Sequence, residues 1–374
     1  MIARIEIAGF KRFTASCFEL ASLVVLCGLN GAGKSSMLQA LLLCREAMTS
    51  QAKTVSLNGG PFGLELGTAE DVHNRASVGN ISIRMMTADD PTVAQWRFAV
   101  PESTPDSLYL VVAERPDPFG EAFVLDAVPR GFTYLSAERF GPRALLKSAA
   151  TAGSMLEVGV RGEFSAQVLA EFGERPLEYL DRRHPNAAMD AVPFLKYELE
   201  QWLSEIVCPI RVEPELHANG LVASLRFGPP GSDLVRAPNM GFGISYALPI
   251  ILAGLVARPG GLLIVENPEA HLHPAGQSRI GVFLAWLAGK GVQVVLETHS
   301  DHVLNGICRA IAELGFLDHK NAIVHFFEGG EADQARVAVP LRFTASGGVS
   351  DWPPGFFDQY QIDVAALGRL RRRR

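Results

Sequence analysis

The stretch that decides the fold is Gly28-Leu29-Asn30-Gly31-Ala32-Gly33-Lys34-Ser35, which directly follows the apolar run Leu23-Val24-Val25-Leu26-Cys27. A glycine, four further residues and then Gly-Lys-Ser have the spacing of a phosphate-binding loop. The apolar run predicts a short strand, and the residues from Ser36 to about Met48 predict a helix. Glycines let successive N–H groups turn towards phosphate oxygens, and a helix N-terminus adds a favourable dipole. This stretch therefore predicts a nucleoside triphosphate site in an α/β fold.

The same loop supplies candidate ligands for a nucleotide and its metal. The Lys34 side chain can reach the β- and γ-phosphates, and the Ser35 hydroxyl can bind Mg²⁺. The other candidate contacts are Asn30, Gly31, Ala32, Gly33 and Ser36, together with Lys11 and Arg12 upstream. These two upstream cations are as well suited to DNA as to nucleotide. We expect ATP and Mg²⁺ as cofactors.

Composition limits the class of protein. Of 374 residues, 48% are hydrophobic and 20% are charged, which predicts a globular fold. A net charge of −6 argues against a broadly basic nucleic-acid-binding surface but leaves a local basic groove open. The five scattered cysteines predict the reduced thiols of a cytoplasmic protein. The longest apolar stretch, residues 247–257, is too short to cross a membrane, so we expect no membrane partner.

Apolar patterning predicts the order of elements along the chain. Strands are predicted at Ile2–Ile7, Cys17–Leu20, Ile81–Met85, Gln95–Val100, Leu108–Val112 and Ala122–Leu125, the last four in an antiparallel segment. The pattern turns helical from about Leu145 to Val207. Later helices are predicted at about Tyr246–Val256 and Gln277–Leu287. Long heptad repeats, which would predict a coiled-coil arm, are missing from the sequence.

Two later apolar runs end in polar residues. Leu262 to Val265 precedes Glu266, and a buried strand that ends in a carboxylate is how phosphate-loop enzymes hold the Mg²⁺ shell. Glu266 is therefore the predicted metal carboxylate. The second run, Val294 to Leu296, leads into Glu297-Thr298-His299-Ser300, where His299 is placed to sense the γ-phosphate.

A third segment, Asn239 to Ser245, precedes a predicted helix. Gly241 and Gly243 free its backbone, and Ser245 is a candidate helix cap. The N-terminus of that helix would offer N–H groups to an anion. An ordinary capped helix is the alternative interpretation.

The order of these segments resembles that of ABC-type ATPases: phosphate loop, signature segment, Walker B strand and switch histidine. The residues Gly9-Phe10-Lys11-Arg12-Phe13 resemble the branch that includes RecF, SMC and OLD-type proteins. Three strings are similar to those of a bacterial family of stand-alone ATPases with a C-terminal domain of unknown function: Tyr134–Arg139, Glu266–Pro274 and Trp352–Gln359. The similarity covers about residues 1–367.

The resemblance implies a P-loop NTPase with an ABC-ATPase-like head: a mixed sheet, an antiparallel β segment and a compact helical lobe, without a long coiled coil. It also implies a homodimer in which two heads enclose two ATP molecules, each γ-phosphate meeting the signature helix of the other copy. The predicted division is ATPase core over 1–140, helical lobe over 141–228, second part of the core over 229–345 and a C-terminal extension over 346–374.

The sequence departs from the ABC pattern at its Walker B strand. That strand usually ends Asp-Glu-Pro, whereas this chain has Glu266-Asn267-Pro268. An amide cannot accept a proton as a carboxylate can, so general-base help at Asn267 is lost. Either hydrolysis is slow and the ATP-bound dimer is long-lived, or Glu269 serves as the base. Whether the chain is an active ATP hydrolase therefore stays open.

Two further groups have competing interpretations. His271 and His273 lie close to Glu269, but a metal site needs three or four ligands, so a loop facing a dimer partner is favoured. The terminal arginines, Arg369 and Arg371–Arg374, form either a solvated tail or a contact to a phosphate backbone.

The sequence is compatible with three functions. The leading one is an ATP-dependent switch or clamp in DNA repair or defence against phage, acting with a separate effector such as a nuclease. The second is a nucleotide-gated scaffold that binds protein but no nucleic acid. A transporter ATPase is third, and the 239–245 segment argues against it.

Overall fold

The computed structural model describes residues 1–50, 52–87, 93–116, 125, 128–188, 191–217, 221–329 and 337–371. Its strands are β1 Ile2–Phe10, β2 Phe13–Glu19, β3 Leu23–Gly28, β4 Thr54–Ser56, β5 Asn58–Gly59, β6 Leu64–Glu65, β7 Ile81–Thr87, β8 Val93–Ala99, β9 Tyr109–Glu114, β10 Phe132–Leu135, β11 Leu146–Lys147, β12 Arg211–His217, β13 Val222–Gly228, β14 Val235–Arg236, β15 Leu262–Glu266, β16 Gln293–Glu297, β17 Ala322–Phe327 and β18 Ala338–Arg342. Its α-helices are α1 Lys34–Ser50, α2 Ala69–Val72, α3 Ser165–Phe172, α4 Leu195–Ile206, α5 Phe242–Val256, α6 Pro274–Gly289, α7 Asp301–Ala312 and α8 Gln359–Arg371.

A mixed six-stranded sheet, in the order β10-β15-β16-β3-β17-β18, forms the centre of the molecule. Its pairs are parallel except that β18 runs antiparallel to β17 at one edge. Parallel strands covered on both faces consist almost entirely of apolar residues, which is why β3, β15 and β16 are continuous apolar runs in the sequence. Because β3, β15 and β16 are parallel, the segments that follow them leave the sheet at the same edge.

Two apolar clusters cover the two faces of this sheet. Leu23, Val25 and Cys27 of β3 belong to one cluster, and Val24 and Leu26 belong to the other, since successive side chains of a strand point to opposite faces. The first cluster includes residues of α4, α5, α6 and α7, and the second includes residues of α1 and of a second sheet. β3 therefore lies between two buried layers.

The second sheet is the predicted antiparallel segment, with strand order β2-β1-β7-β8-β9-β4. Strands β7, β8 and β9 confirm three of the four predicted strands, with ends that differ by one or two residues. The fourth, Ala122–Leu125, falls mainly on residues 122–124, outside the described residues.

The prediction of a helical pattern from Leu145 to Val207 was correct for α3 and α4 and wrong for the described residues before α3 and between the two helices. The stretch before α3 contains β11 and a short 3-10 turn, and the described residues between the helices form loops and another 3-10 turn. A small sheet built from β11, β12, β13 and β14 adjoins α3 and α4. Pro176, Pro185 and Pro193 explain the interruption, because proline lacks the N–H that a continuing helix requires. The predicted helical lobe is thus a mixed α/β lobe.

In the parts of the chain that the structure describes, no helix combines the length and the apolar character needed to cross a membrane.

Candidate nucleotide-binding site

The loop between β3 and α1 has the backbone of a phosphate-binding loop. Gly28 has φ +122°, and a Cβ atom at this position would lie 2.1 Å from the carbonyl oxygen of Phe327 on β17. Gly31, at the tip of the loop, has φ +71° with open space around it. Glycine fits at Gly28 because it has no side chain to clash with Phe327, and it fits at both positions because it tolerates positive φ. The first glycine is therefore fixed by sheet packing, and Gly31 by backbone conformation alone.

Lys34 is buried at the start of α1. Its Nζ donates hydrogen bonds to the carbonyl oxygens of Gly28 (3.0 Å) and Leu29 (2.8 Å) and lies 4.0 Å from Glu297 Oε1. Burial lowers the pKa of Lys34. The ammonium group is thus held inside its own loop, where phosphate oxygens would be stronger acceptors than these carbonyls.

The two upstream cations border the same loop. Arg12 Nη1 donates to the carbonyl oxygen of Gly31 at 2.6 Å, and Lys11 Nζ donates to Gln39 Oε1 of α1 at 2.7 Å. Lys11 lies at the turn between β1 and β2 with φ +50°. Both predicted side chains are therefore beside the loop and α1.

Glu297, the last residue of β16, faces the loop from the neighbouring strand. Ser35 Oγ donates to Glu297 Oε2 at 3.0 Å. Burial and the nearby Glu266 raise the pKa of Glu297 to about 7. No role was predicted for Glu297 from the sequence. Its signal was the one used for Glu266, an acid at the end of a buried apolar strand.

Glu266 occupies the matching position on β15, where it is the register partner of Glu297. Its Oε1 accepts a hydrogen bond from the Tyr134 hydroxyl at 3.0 Å, and its Oε2 accepts one from the Ala137 N–H at 3.2 Å. Burial raises the pKa of Glu266, and burial together with Glu266 raises the pKa of Tyr134, which stays a protonated donor. Both oxygens of the predicted metal carboxylate already have partners within the chain.

A buried arginine holds the turn that follows β15. Arg139 Nη1 donates to the carbonyl oxygen of Glu266, and Arg139 Nη2 to that of Asn267, both at 2.6 Å. The guanidinium also lies 5.3 Å from the ring centre of Tyr246, and burial lowers the pKa of Arg139 to about 10. Asn267 has φ +44°, a left-handed conformation that asparagine tolerates better than most residues. The sequence indicated neither Arg139 nor Tyr134 beyond the family string that contains them.

Glu269 and His299 meet at the same edge of the sheet. Glu269 Oε2 accepts from the Thr298 hydroxyl and Glu269 Oε1 accepts from the His299 N–H, both at 2.8 Å. The turn through Pro268 therefore directs Glu269 towards the histidine segment. Both oxygens of Glu269, the predicted alternative base, are thus hydrogen-bonded to residues that follow β16.

The segment before α5 differs in one respect from the sequence prediction. The helix begins at Phe242 with Gly241 as its N-cap residue, so Ser245 lies inside the first turn and the prediction that it caps the helix was wrong. The glycines at 241 and 243 let the helix begin four residues earlier than a cap at Ser245 would allow. Phe242 is half exposed and packs on His271, with ring centres 5.0 Å apart.

The histidines after β15 have structural contacts. His271 has φ +61° and packs between Phe242 and Tyr246, while His273 is the N-cap residue of α6 and its Nδ1 accepts from the Ala275 N–H at 3.3 Å. Within the described ranges, no three His, Cys, Asp or Glu side chains are arranged to hold a metal ion by themselves.

Two parts of the chain match known protein families. Residues 153–305 match the family described as "AAA domain, putative AbiEii toxin, Type IV TA system", and residues 317–367 match DUF3696, a protein family of unknown function. The first match contains β15, β16 and His299, whereas the phosphate-binding loop lies before it. No curated protein matches the sequence of this chain.

Solved structures of SMC head domains are similar to the chain. A head bound to the C-winged helix domain of ScpA has a TM-score of 0.50 at 13% identity, covering 91% of this chain and 98% of that chain. A Smc head with an extended coiled coil, bound to the C-terminal domain of ScpA derived from Pyrococcus furiosus, gives 0.49 at 12%, covering 99% of both chains. The head from Thermotoga maritima gives 0.42 at 12%, covering 92% and 99%.

The first of these likenesses establishes the fold as that of an SMC head. Together with the AAA-domain match it confirms the resemblance to ABC- and SMC-like AAA ATPases, with a C-terminal domain of unknown function. The chain is therefore similar to ATPases of the SMC/ABC type, a class that uses a nucleotide and usually Mg²⁺.

Proposed function

We propose that the chain binds ATP with Mg²⁺ and thereby acts as a switch that holds two copies together. The observation that carries this proposal is the meeting of Lys34, Ser35 and the acids at the ends of β15 and β16 at one sheet edge, with Asn267 where a general base is expected. This arrangement favours binding over rapid turnover, because the amide of Asn267 cannot take a proton from water.

The donor groups at this edge suit Mg²⁺. Mg²⁺ is bound by oxygen ligands, commonly one or two carboxylates together with substrate phosphates. Ser35 supplies a hydroxyl, and the buried carboxylate of Glu297 lies beside it, with Glu266 on the adjacent strand and Lys34 as a nearby cation. Ser35 and these carboxylates would hold the Mg²⁺, and the bound metal would neutralise charge on the phosphates. Lys34 would hold the same phosphates, and Arg12 would fix the loop through Gly31.

The first turn of α5 supports the dimer. Gly241 and Phe242 are exposed, and in the described part of the chain no side chain caps this helix N-terminus. Free N–H groups at a helix start attract anions. In the proposed dimer this turn meets the γ-phosphate bound to the other copy.

Nucleotide binding and dimer formation can be tested together. Light scattering of the full chain with ATP and Mg²⁺ should show a doubled mass, and without nucleotide a monomer. Lys34→Ala should weaken nucleotide binding by about 10- to 150-fold, the value of a hydrogen bond to a charged group, and remove the dimer. Lys53→Ala, at an exposed lysine, is the matched control. Retained nucleotide affinity in Lys34→Ala would refute the site.

We propose a biological role in DNA repair or in defence against phage, with a separate effector such as a nuclease. The AbiEii description of the matching AAA domain and the resemblance to the RecF and OLD branch support it. The SMC head solved with bound ScpA is a precedent for a partner docking on this fold. An ATP-dependent and salt-sensitive shift of duplex DNA would be the expected result, and no shift at low salt would remove DNA from the proposal.

A scaffold that binds only protein is the alternative, and the net charge of −6 favours it. The DNA-shift measurement, together with capture of protein partners, separates the two functions. Capture of a protein partner that requires both ATP and Lys34, without any DNA shift, would establish the scaffold.

A further inference from the structure

The two carboxylates at the ends of β15 and β16 are unequal in their surroundings. Glu266 has both oxygens engaged, by the Tyr134 hydroxyl at 3.0 Å and the Ala137 N–H at 3.2 Å. Glu297 has its carboxylate 3.0 Å from Ser35 Oγ and 4.0 Å from Lys34 Nζ. In the described part of the chain, Glu297 thus contacts Ser35 and Lys34 of the loop, whereas Glu266 is hydrogen-bonded to Tyr134 and Ala137.

The sheet order explains this difference. β16 lies directly beside β3, whereas β15 is separated from β3 by β16. Neighbouring strands are about 4.8 Å apart, so a residue at the end of β15 starts one strand further from the loop than its register partner on β16. Glu266 is also held on the side of β15 by its hydrogen bonds with Tyr134 and Ala137.

We propose that Glu297 is the carboxylate that holds the Mg²⁺ of bound nucleotide beside Ser35, and that Glu266 is a positioning residue behind it. This inference rests on the proposed nucleotide-binding function. It assigns the metal role to the strand that precedes His299, instead of to the strand that precedes Asn267.

Charge supports this assignment. Glu297 is nearly fully buried and lies next to a second buried acid, with Lys34 as the nearby cation. Lys34 makes its hydrogen bonds to two carbonyl oxygens instead of to this carboxylate. Placing a divalent cation between Glu297 and Ser35 would satisfy a buried charge that otherwise costs free energy.

The test measures metal affinity directly, with Mn²⁺ as the probe. Free Mn²⁺ is counted by electron paramagnetic resonance in the presence of a non-hydrolysable ATP analogue, for the wild-type chain, Glu297→Gln and Glu266→Gln. Loss of a group that only supports a metal ligand typically costs about 10- to 100-fold in metal affinity, so Glu297→Gln, which removes the ligand itself, should lose at least about 100-fold in Mn²⁺ affinity. Glu266→Gln, the register-matched control, should change the affinity much less.

Two further measurements keep the result interpretable. Binding of the analogue in EDTA should be equal in the wild type and Glu297→Gln, which shows that the loop is folded. Glu297→Asp, which keeps a carboxylate, should recover part of the Mn²⁺ affinity. Unchanged Mn²⁺ affinity in Glu297→Gln, or a larger loss in Glu266→Gln, would overturn the assignment. A wild-type chain that binds no analogue with or without metal would instead overturn the proposed function.

Discussion

The loop after β3 and the turn after β15 lie at the same edge of the sheet but are held there by different kinds of contact. The loop is held by its own residues: glycines with positive φ, and a lysine that bonds to carbonyls five and six positions earlier. The turn is held by Arg139, which lies more than 120 positions before it in the chain. Local chemistry thus determines one side of the site, and tertiary contact determines the other.

The largest expected effect concerns the turn. Asn267→Glu should raise ATP turnover by about 10²–10⁴-fold, because it restores a carboxylate where a general base is expected. The left-handed backbone at this position should cost the variant about 1 kcal/mol of stability. Phosphate release measured with and without duplex DNA checks the prediction, with Lys34→Ala as the blank. A rate no higher than that of the wild type would show that Glu269 or another group already serves as base.

On the loop side, the largest effect is expected at Gly28. Gly28→Ala should lower the free energy of unfolding by about 3 kcal/mol or more, because its Cβ would overlap the Phe327 carbonyl and separate β3 from β17. Gly31→Ala has the same change of side chain without the clash, and should cost about 1–2 kcal/mol through its backbone alone. Urea denaturation compares the pair, and equal losses would contradict the packing argument.

Removing the distant support should destabilise the turn. Arg139→Met keeps the length of the side chain but leaves the Glu266 and Asn267 carbonyls without their donor, and should cost about 2–3 kcal/mol. Arg143→Met, at an exposed arginine that packs on Phe140, is the control and should lie within about 0.5 kcal/mol of the wild type. If the two variants melt alike, the turn does not depend on Arg139.

The smallest expected effect is a dependence of stability on pH, and it concerns β17, which pairs with β3 on the side opposite to β16. His325 of β17 is buried, its Nε2–H donates to the Glu19 carbonyl at 2.7 Å, and burial lowers its pKa below the ordinary 6.5. The unfolded chain therefore takes up a proton first as the pH falls, so stability is lost from about pH 6.5 downwards. His325→Gln keeps a donor without titrating and should lose less stability between pH 7 and pH 5. A parallel loss in both proteins would exclude His325 as the cause.

The contrast between loop and turn also explains what could be predicted from the sequence. The phosphate-binding loop, β15, β16 and α6 have local signals, namely glycine spacing and apolar period, and all four were predicted. The roles of Tyr134 and Arg139 depend on contacts with residues more than 120 positions away, which no local pattern reveals. Glu297 had a local signal, but its proximity to Ser35 depends on the strand order, which periodicity does not give.

The same limit applies to the lobe between the two parts of the core. The helical pattern predicted from about Leu145 to Val207 includes α4, whose buried face contains Leu199, Trp202 and Leu203. The small sheet of β11 to β14 was not predicted, and two of its four strands, β11 and β14, have only two residues each. Short strands depend on their partners for stability and so leave weak sequence signals.

The sheet order has a consequence for how the protein is made. β3 is complete at Gly28, but its two neighbours in the sheet, β16 and β17, begin at Gln293 and Ala322. At about 5–20 residues per second, a ribosome needs roughly 15–60 s to travel from Gly28 to Ala322. During that time β3 has been synthesised but β16 and β17 have not, so this apolar strand is exposed to aggregation or to chaperones. The sheet around β3 can therefore form only after the residues of β17, nearly 300 positions further along the chain, have been synthesised.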